Sequence, residues 1–216
     1  MIEIIFWILL IIVFYTYIGY GIVLFILVKI KELFIVKNQN IRVSEEFPDV
    51  TLLIAAYNEE AVITKKMKNS HELSYPEGRL KIVWITDGSN DGTNKLLNDY
   101  KDVKILFEPE RKGKTAALNR AISFIETPFV VFSDANTMLN KDALLNLIKP
   151  FENDSIGCVA GEKRIAAEGR DIASSSGESF YWKYESFLKD LDSRLYSSMG
   201  AAGELYAIRT ELYKTI

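Results

Sequence analysis

The sequence predicts an α/β fold: a mostly parallel sheet flanked by helices and preceded by one transmembrane helix. Three observations carry this. Short unbroken apolar runs with β-branched and aromatic members recur, as at Ile82-Val83-Trp84-Ile85, the pattern of strands buried on both faces. They alternate with amphipathic stretches, which makes them βαβ units. No charged residue lies between Ile4 and Val28, and as a helix that run would reach about 37 Å, enough for the ~30 Å core of a bilayer.

The apolar run is too long, and Glu3 too acidic a start, for a cleaved signal peptide. Lys29, Lys31, Lys37 and Arg42 follow it, which places the remainder in the cytoplasm, on the plasma membrane if the source is bacterial. The expected division is a transmembrane helix with its basic flank over 1–36, a polar linker over 37–48 ending in Pro48, and a folded domain over 49–216. In that domain Val50 to Ala56 reads as the first strand. A helix to about Glu72 follows, with Ala61, Val62, Ile63 and Met67 toward the sheet and three lysines outside. Tyr75-Pro76-Glu77-Gly78 turns into the second strand, and a short helix spans Gly92 to Tyr100. Val103 to Phe107 is the third strand, Lys114 to about Ile125 a helix, and Phe129 to Ser133 the fourth strand. A helix capped by Asn140 carries Leu144, Leu147, Ile148 and Phe151 inward. Ile156 to Ala160 adds a fifth strand, and Ile165 to Ser179, rich in small residues, reads as a loop. Phe180, Tyr184, Phe187, Leu188, Leu191 and Leu195 keep helical spacing, a stripe that favours core packing over a sugar platform. Glu204 to Arg209 is the last strand.

Composition excludes several function classes. A net charge of -3 and a sequence pI near 5.4 give no footprint for nucleic acid. The single histidine, His71, rules out a multi-histidine metal site and reads as a helix-end residue. Cys158 alone cannot form an internal disulfide.

The chemistry gathers at strand ends. Ligands of open α/β sheets sit outside the carboxyl ends of the strands. Three such ends carry polar groups: Tyr57, Asn58 and Glu59; Asp87 and Asp91; Asp134 and Asn136. Asp87-x-Ser89-x-Asp91-Gly92 begins like a calcium loop, but its twelfth position is Asn98 instead of a bidentate Glu. Gly113-Lys114-Thr115 ends like a Walker motif, yet the required leading glycine is Glu108. What remains is a lysine at a helix N-terminus, a favourable place for phosphate oxygens.

Ala56-Tyr57-Asn58-Glu59-Glu60, Thr86-Asp87-Gly88-Ser89-Asn90-Asp91-Gly92-Thr93, Gly113-Lys114-Thr115-Ala116-Ala117-Leu118-Asn119 and Ser133-Asp134-Ala135-Asn136-Thr137 occur in one order and spacing. In this the chain resembles the glycosyltransferase family 2 domain over about 49–209, in its membrane-bound, polysaccharide-synthase-like branch. The resemblance implies a glycosyltransferase A-type, Rossmann-like sheet that binds a nucleotide-diphospho-sugar, expected to be a UDP-sugar. It implies inverting transfer of the sugar to a glycan or lipid-linked acceptor. Carried over by position, Ala56, Tyr57, Asn58, Glu59 and Asp87 would hold base and ribose, and Lys114 would lie near the diphosphate. Asp134 would steer the diphosphate and, with Asn136, a Mg²⁺ or Mn²⁺ ion. Further subunits of a polysaccharide synthase are implied as partners.

Two departures qualify the resemblance. The family's acidic motif has Asp at its third position, where this chain has Asn136, a poorer metal ligand. The family also places its catalytic base downstream of the strand matching Glu204 to Arg209, so no catalytic residue is assigned in this chain, which reads as the N-terminal part of a longer enzyme. The rival functions are a membrane-tethered nucleotide-sugar-binding subunit and a sugar nucleotidyltransferase. The latter usually shows a Gly-rich loop after its first strand, which Tyr57-Asn58-Glu59-Glu60 lacks.

Overall fold

The structure is a computed structural model and describes residues 1–34, 46–162, 172–198, 200 and 203–215, with only the backbone described over 172–179. The chain divides into two compact units, Met1–Asn40 with Lys163–Gly200, and Ile41–Glu162 with Ala201–Ile216.

The second unit is built on a six-stranded sheet: β1 (Val50–Ala56), β2 (Leu80–Asp87), β3 (Lys104–Glu108), β4 (Phe129–Asp134), β5 (Cys158–Ala160) and β6 (Leu205–Arg209). Their spatial order is β3-β2-β1-β4-β6-β5. The first four are parallel, while β6 runs antiparallel to both β4 and β5. The sheet is thus mostly parallel, as expected. The chain winds outward from β1 to β3, then returns to the other side of β1 with β4. The carboxyl ends of β1 and β4 therefore flank the topological switch point, where a crevice opens.

Side chains alternate across the strands, so each strand feeds two cores. One face packs Leu52, Ile54, Trp84 and Val131 against α3 (Glu60–His71), α4 (Thr93–Leu97) and α6 (Ala143–Ile148). There Trp84 is fully buried and its indole N–H points at the Met67 sulfur, 3.1 Å away. The other face packs Leu53, Val83, Ile85, Val130 and Phe132 against Ala117, Leu118 and Ala121 of α5 (Lys114–Ile122). Tyr206 stacks on Phe132 at 4.6 Å, and its burial pushes its hydroxyl pKa up to about 12.

The first unit holds α1 (Ile2–Phe14), a π-helical turn at Tyr15–Gly19, α2 (Tyr20–Phe34) and α7 (Ile172–Leu195). Ile2–Phe34 is the one helical stretch among the described residues long and apolar enough to cross a membrane. Leu24 and Val28 of α2 are buried with Leu191 of α7, and Tyr20, Leu188 and Leu195 pack around them.

Several local expectations are corrected. Within α3 the lysines are not all outside: Lys66 is wholly buried and Ala61 is exposed. The cap of α6 is Asp142, not Asn140, although Asn140 still accepts the Ala143 N–H at 2.9 Å. Helix α7 begins at Ile172, inside the stretch read as a loop, while 163–171 lies outside the described residues. The aromatic stripe is only half core, since Leu191 is buried but Phe180 is 72% exposed. His71 sits in the last turn of α3 and pairs with Asp102 at 2.6 Å.

Candidate functional site

Asp87 ends β2 and Asp134 ends β4, on either side of β1. The register pairs Ala56 with Thr86 and Ala55 with Asp134, which brings the three ends to one edge. Asp87 lies two residues beyond Ile85, and Asp134 two beyond Phe132. Both therefore point to the face that α5 covers.

The loop after β3 ties the two carboxylates together. Asp87 Oδ2 accepts the backbone N–H groups of Lys112 (2.9 Å) and Gly113 (2.7 Å), which seats this loop on the end of β2. Gly88 allows the approach. Its φ is 70°, and a Cβ there would lie 2.7 Å from the Arg111 nitrogen, a backbone contact that cannot give way. Gly113, at φ 92°, then caps α5, and the first residue of that helix, Lys114, donates to Asp134 Oδ1 at 2.5 Å and to the Gly203 carbonyl at 3.0 Å. Asp87 is 5% exposed, and its Oδ1 has no hydrogen-bond partner among the described residues; Arg120 Nη1 stands 3.7 Å off. A buried carboxylate oxygen without a hydrogen-bond donor is costly, and the Arg120 charge is what faces it here.

The loops after β1 and β2 are laced to each other. Asn58, in the left-handed region at φ 53°, donates its N–H to Ser89 Oγ (3.1 Å) and its side-chain amide to Asn90 (2.9 Å). It also accepts the Asn90 N–H at 2.9 Å. The Glu59 N–H reaches Thr93 Oγ1 at 2.9 Å, and Glu60 accepts the Gly92 N–H at 2.9 Å. Asp91 belongs to this lacing. Its two oxygens take the N–H groups of Thr93 (3.0 Å) and Glu60 (3.2 Å). Burial works to raise the Asp91 pKa, but hydrogen bonds from the Thr93 side chain and these amides outweigh it and hold the carboxyl below its usual range. The expectation that Asp91 projects into the crevice is therefore corrected: it braces the loops. Glu59 behaves oppositely. Burial first, then the negative charges of Asp134 and Asp91, push its pKa up, so it shares an electrostatic neighbourhood with Asp134. Tyr57 is partly exposed, and the Arg111 guanidinium stacks on its ring 3.8 Å from the centroid.

Beneath the turn after β4 lies Lys66. Its ammonium donates to Ser133 Oγ (2.7 Å) and to the Thr137 carbonyl (2.5 Å), the residues that bracket Asp134, Ala135 and Asn136. Burial lowers its pKa from 10.5 to about 8, against the opposing pull of Asp134.

The sequence profile described as "Glycosyl transferase family 2" matches residues 51–216. The chain belongs to this family. Beta-monoglucosyldiacylglycerol synthase of Nostoc sp. (strain PCC 7120) is 31% identical over 167 residues, which is 73% of this chain and 34% of that protein. Poly-beta-1,6-N-acetyl-D-glucosamine synthase of Staphylococcus epidermidis is 32% identical over 125 residues, 56% of this chain and 30% of that protein. The chain thus spans about a third of the length of these relatives. Among solved structures, the mannosyltransferase PcManGT from Pyrobaculum calidifontis, in complex with GDP-Man and Mn²⁺, superposes with a TM-score of 0.68 at 25% identity. That superposition covers 94% of this chain and 55% of the mannosyltransferase.

As a family 2 domain, the chain brings Ala56, Tyr57, Asn58, Glu59, Asp87, Lys114 and Asp134 to one edge of its sheet, with Asn136 exposed on the turn that Asp134 opens. No group of three or more His, Cys, Asp or Glu able to hold a metal occurs among the described residues. The one carboxylate on this turn, Asp134, has Oδ1 engaged by Lys114, and ions of the Mg²⁺ type commonly take only one or two carboxylates and draw their other oxygens from water and substrate phosphates.

Sequence reasoning passed over Lys66, Arg111 and Arg120. The first was findable, because position 66 is three residues after Ile63 and four before Ser70, on the stripe that turns inward. The roles of the two arginines depend on loop geometry with no local sequence signature.

Proposed function

We propose that this chain binds a nucleotide-diphospho-sugar, with a UDP-sugar as the donor, for inverting transfer to a glycan or lipid-linked acceptor. The observation that carries the reading is the buried, undonated Oδ1 of Asp87 at the switch point, its partner oxygen fixed by two backbone amides. An acceptor held so rigidly suits an imide N–H or a ribose hydroxyl. The stacked Tyr57 and Arg111 offer an adjoining flat surface for the base.

In this reading Lys114 and the N-terminus of α5 hold the diphosphate, and Asp134 with Asn136 hold the divalent ion, which when bound neutralises charge on the departing diphosphate. Until phosphate arrives, Asp134 is the counter-ion that keeps Lys114 over the crevice. Binding would exchange a carboxylate partner for phosphate oxygens, with the ion compensating Asp134. The proposal covers donor binding and assigns the proton-accepting base to none of these residues. The charge-free run within α1 and α2 anchors the enzyme in a membrane, with the sheet unit on the cytoplasmic side, as the following lysines favour.

Calorimetry on the full chain in detergent, titrating UDP and GDP with and without Mn²⁺, tests the donor reading. UDP is expected to bind, and Mn²⁺ to tighten it about 10-fold, or ~1.4 kcal/mol. Absence of heat with either nucleotide at millimolar concentration would refute donor binding. Binding of GDP in preference to UDP would refute the assigned nucleotide alone.

A further inference from the structure

Asp87 does not stand alone at the end of its strand. The register of β2 with β3 sets it directly beside Glu108, the last residue of the neighbouring strand. Leu106, two residues before Glu108, packs on the α5 side of the sheet, so both carboxylates point to that face. Neighbouring strands lie about 4.8 Å apart, and like charges side by side across them destabilise each other. A cation is needed to hold the pair together.

Arg120 of α5 supplies it. Its helix lays Ala117 and Ala121 on the sheet, and Arg120, three residues after the first and directly before the second, reaches the strand ends. Nη2 donates to the Thr86 carbonyl at 3.3 Å, while Nη1 stands 3.7 Å from Asp87 Oδ1 and 3.7 Å from Glu108 Oε2. Lys112 Nζ backs the other oxygen of Glu108 at 3.9 Å. The side chains of Arg120 and Glu108 are 24 and 27% exposed and that of Asp87 only 6%, so solvent screens these charges less than on an open surface.

The distances decide what the guanidinium can do. At 3.7 Å it is within ion-pair range of Asp87 but beyond a hydrogen bond, so it supplies charge and leaves the lone pairs of Oδ1 unused. A strand carbonyl and a second carboxylate keep it there: drawn to Asp87 and Glu108 at equal distance and tied to Thr86, it does not close onto either. An arginine facing Asp87 alone would be free to close into the short, charge-assisted contact that guanidinium and carboxylate favour, and would occupy the oxygen. We propose that Arg120 is a positioning residue for the donor nucleotide: shared with Glu108, it neutralises Asp87 while reserving Oδ1 to accept an N–H or O–H of the nucleoside. The proposal rests on the donor reading above and adds to it two residues, Arg120 and Glu108, that act through Asp87 without touching the ligand.

The test measures UDP affinity by calorimetry on the full chain in detergent, for the wild type, Arg120→Lys, Arg120→Met, and Arg120→Met combined with either Glu108→Gln or Glu110→Gln. Arg120→Met is expected to weaken UDP about 10-fold, because two neighbouring carboxylates lose their shared cation. Adding Glu108→Gln should recover about 5-fold, as for groups coupled in one charge network. Glu110, exposed on the loop after β3, is the control: Glu110→Gln makes the same change in net charge and should recover nothing. Arg120→Lys keeps the charge and loses no bidentate bond, so it should bind within about threefold of the wild type. Equal affinity of wild type and Arg120→Met, or equal recovery by the two Gln substitutions, would overturn the assignment and leave donor binding standing. A fall of about 10-fold or more in Arg120→Lys would do the same, and this variant decides the matter if Arg120→Met fails to fold by circular dichroism. Absence of UDP binding by the wild type would overturn the donor reading and this one with it.

Discussion

A single carboxylate does two jobs at the end of β2. Asp87 uses one oxygen to seat the loop that presents Lys114, and keeps the other buried and undonated. Asp87→Asn preserves shape but cannot accept two amide N–H groups and a ligand donor as a carboxylate does. We expect UDP affinity to fall about 10-fold or more, while the Asn carbonyl oxygen, with two lone pairs, keeps both loop amides paired and the melting temperature changes little. Calorimetry and thermal melting check this; unchanged nucleotide affinity would remove Asp87 from the donor site. Lys66 makes a different prediction. Its pKa is near 8 in the folded protein against 10.5 in the unfolded chain, so between those values the unfolded chain binds more protons. This group's contribution to stability therefore rises with pH from about 8 to about 10.5, and its cost is fully present below 8. Lys66→Met should flatten that slope in urea titrations at pH 7.5 and pH 10. It should also loosen the turn carrying Asp134, so that the tightening of UDP binding by Mn²⁺ shrinks while metal-free UDP binding is retained. An unaltered pH slope would contradict a buried lysine cation.

At the scale of elements, the site is two loop pairs clamped at the sheet edge: β1 to β2 through Asn58, Glu60 and Asp91, and β2 to β4 through Asp87 and Lys114. Gly88→Ala attacks the second clamp. The left-handed φ costs about 1–2 kcal/mol for a residue with a Cβ, and the clash with the Arg111 backbone pushes the loop off Asp87. Nucleotide affinity should fall severalfold even at temperatures where the protein remains folded by circular dichroism; equal affinity for both forms would show that the loop does not need this seat. The strands and the residues at their ends were legible in the sequence, because apolar runs and the polar residues that break them are local signals. Asp87 and Asp134 could thus be assigned to one edge from the rule that ligands meet the carboxyl ends of the strands. What was not legible was which neighbouring carboxylate does what. Asp91 and Asp87 look alike in sequence, and only the third dimension shows both Asp91 oxygens spent on backbone amides while one Asp87 oxygen is buried without a hydrogen-bond donor. Likewise the small residues around Ser174 read as loop, yet helix α7 covers them.

For the whole molecule, the apolar stretch Ile2–Phe34 dictates how the protein partitions. The full chain should stay in the membrane pellet through high-salt and alkaline carbonate washes and leave only with detergent, as expected of a spanning helix. Release by salt would point to a peripheral attachment. The order of the strands has its own consequence. The outer flank of β4 is completed by β6, and among the described residues β5 pairs with β6 alone. A chain emerging from the ribosome therefore finishes four parallel strands and then carries a bare, apolar edge while α6, β5 and α7 are still being made. Translation that stalls in this interval would expose a strand edge open to pairing with other nascent copies. For such a chain, early insertion of its first helix into a membrane would keep those copies apart.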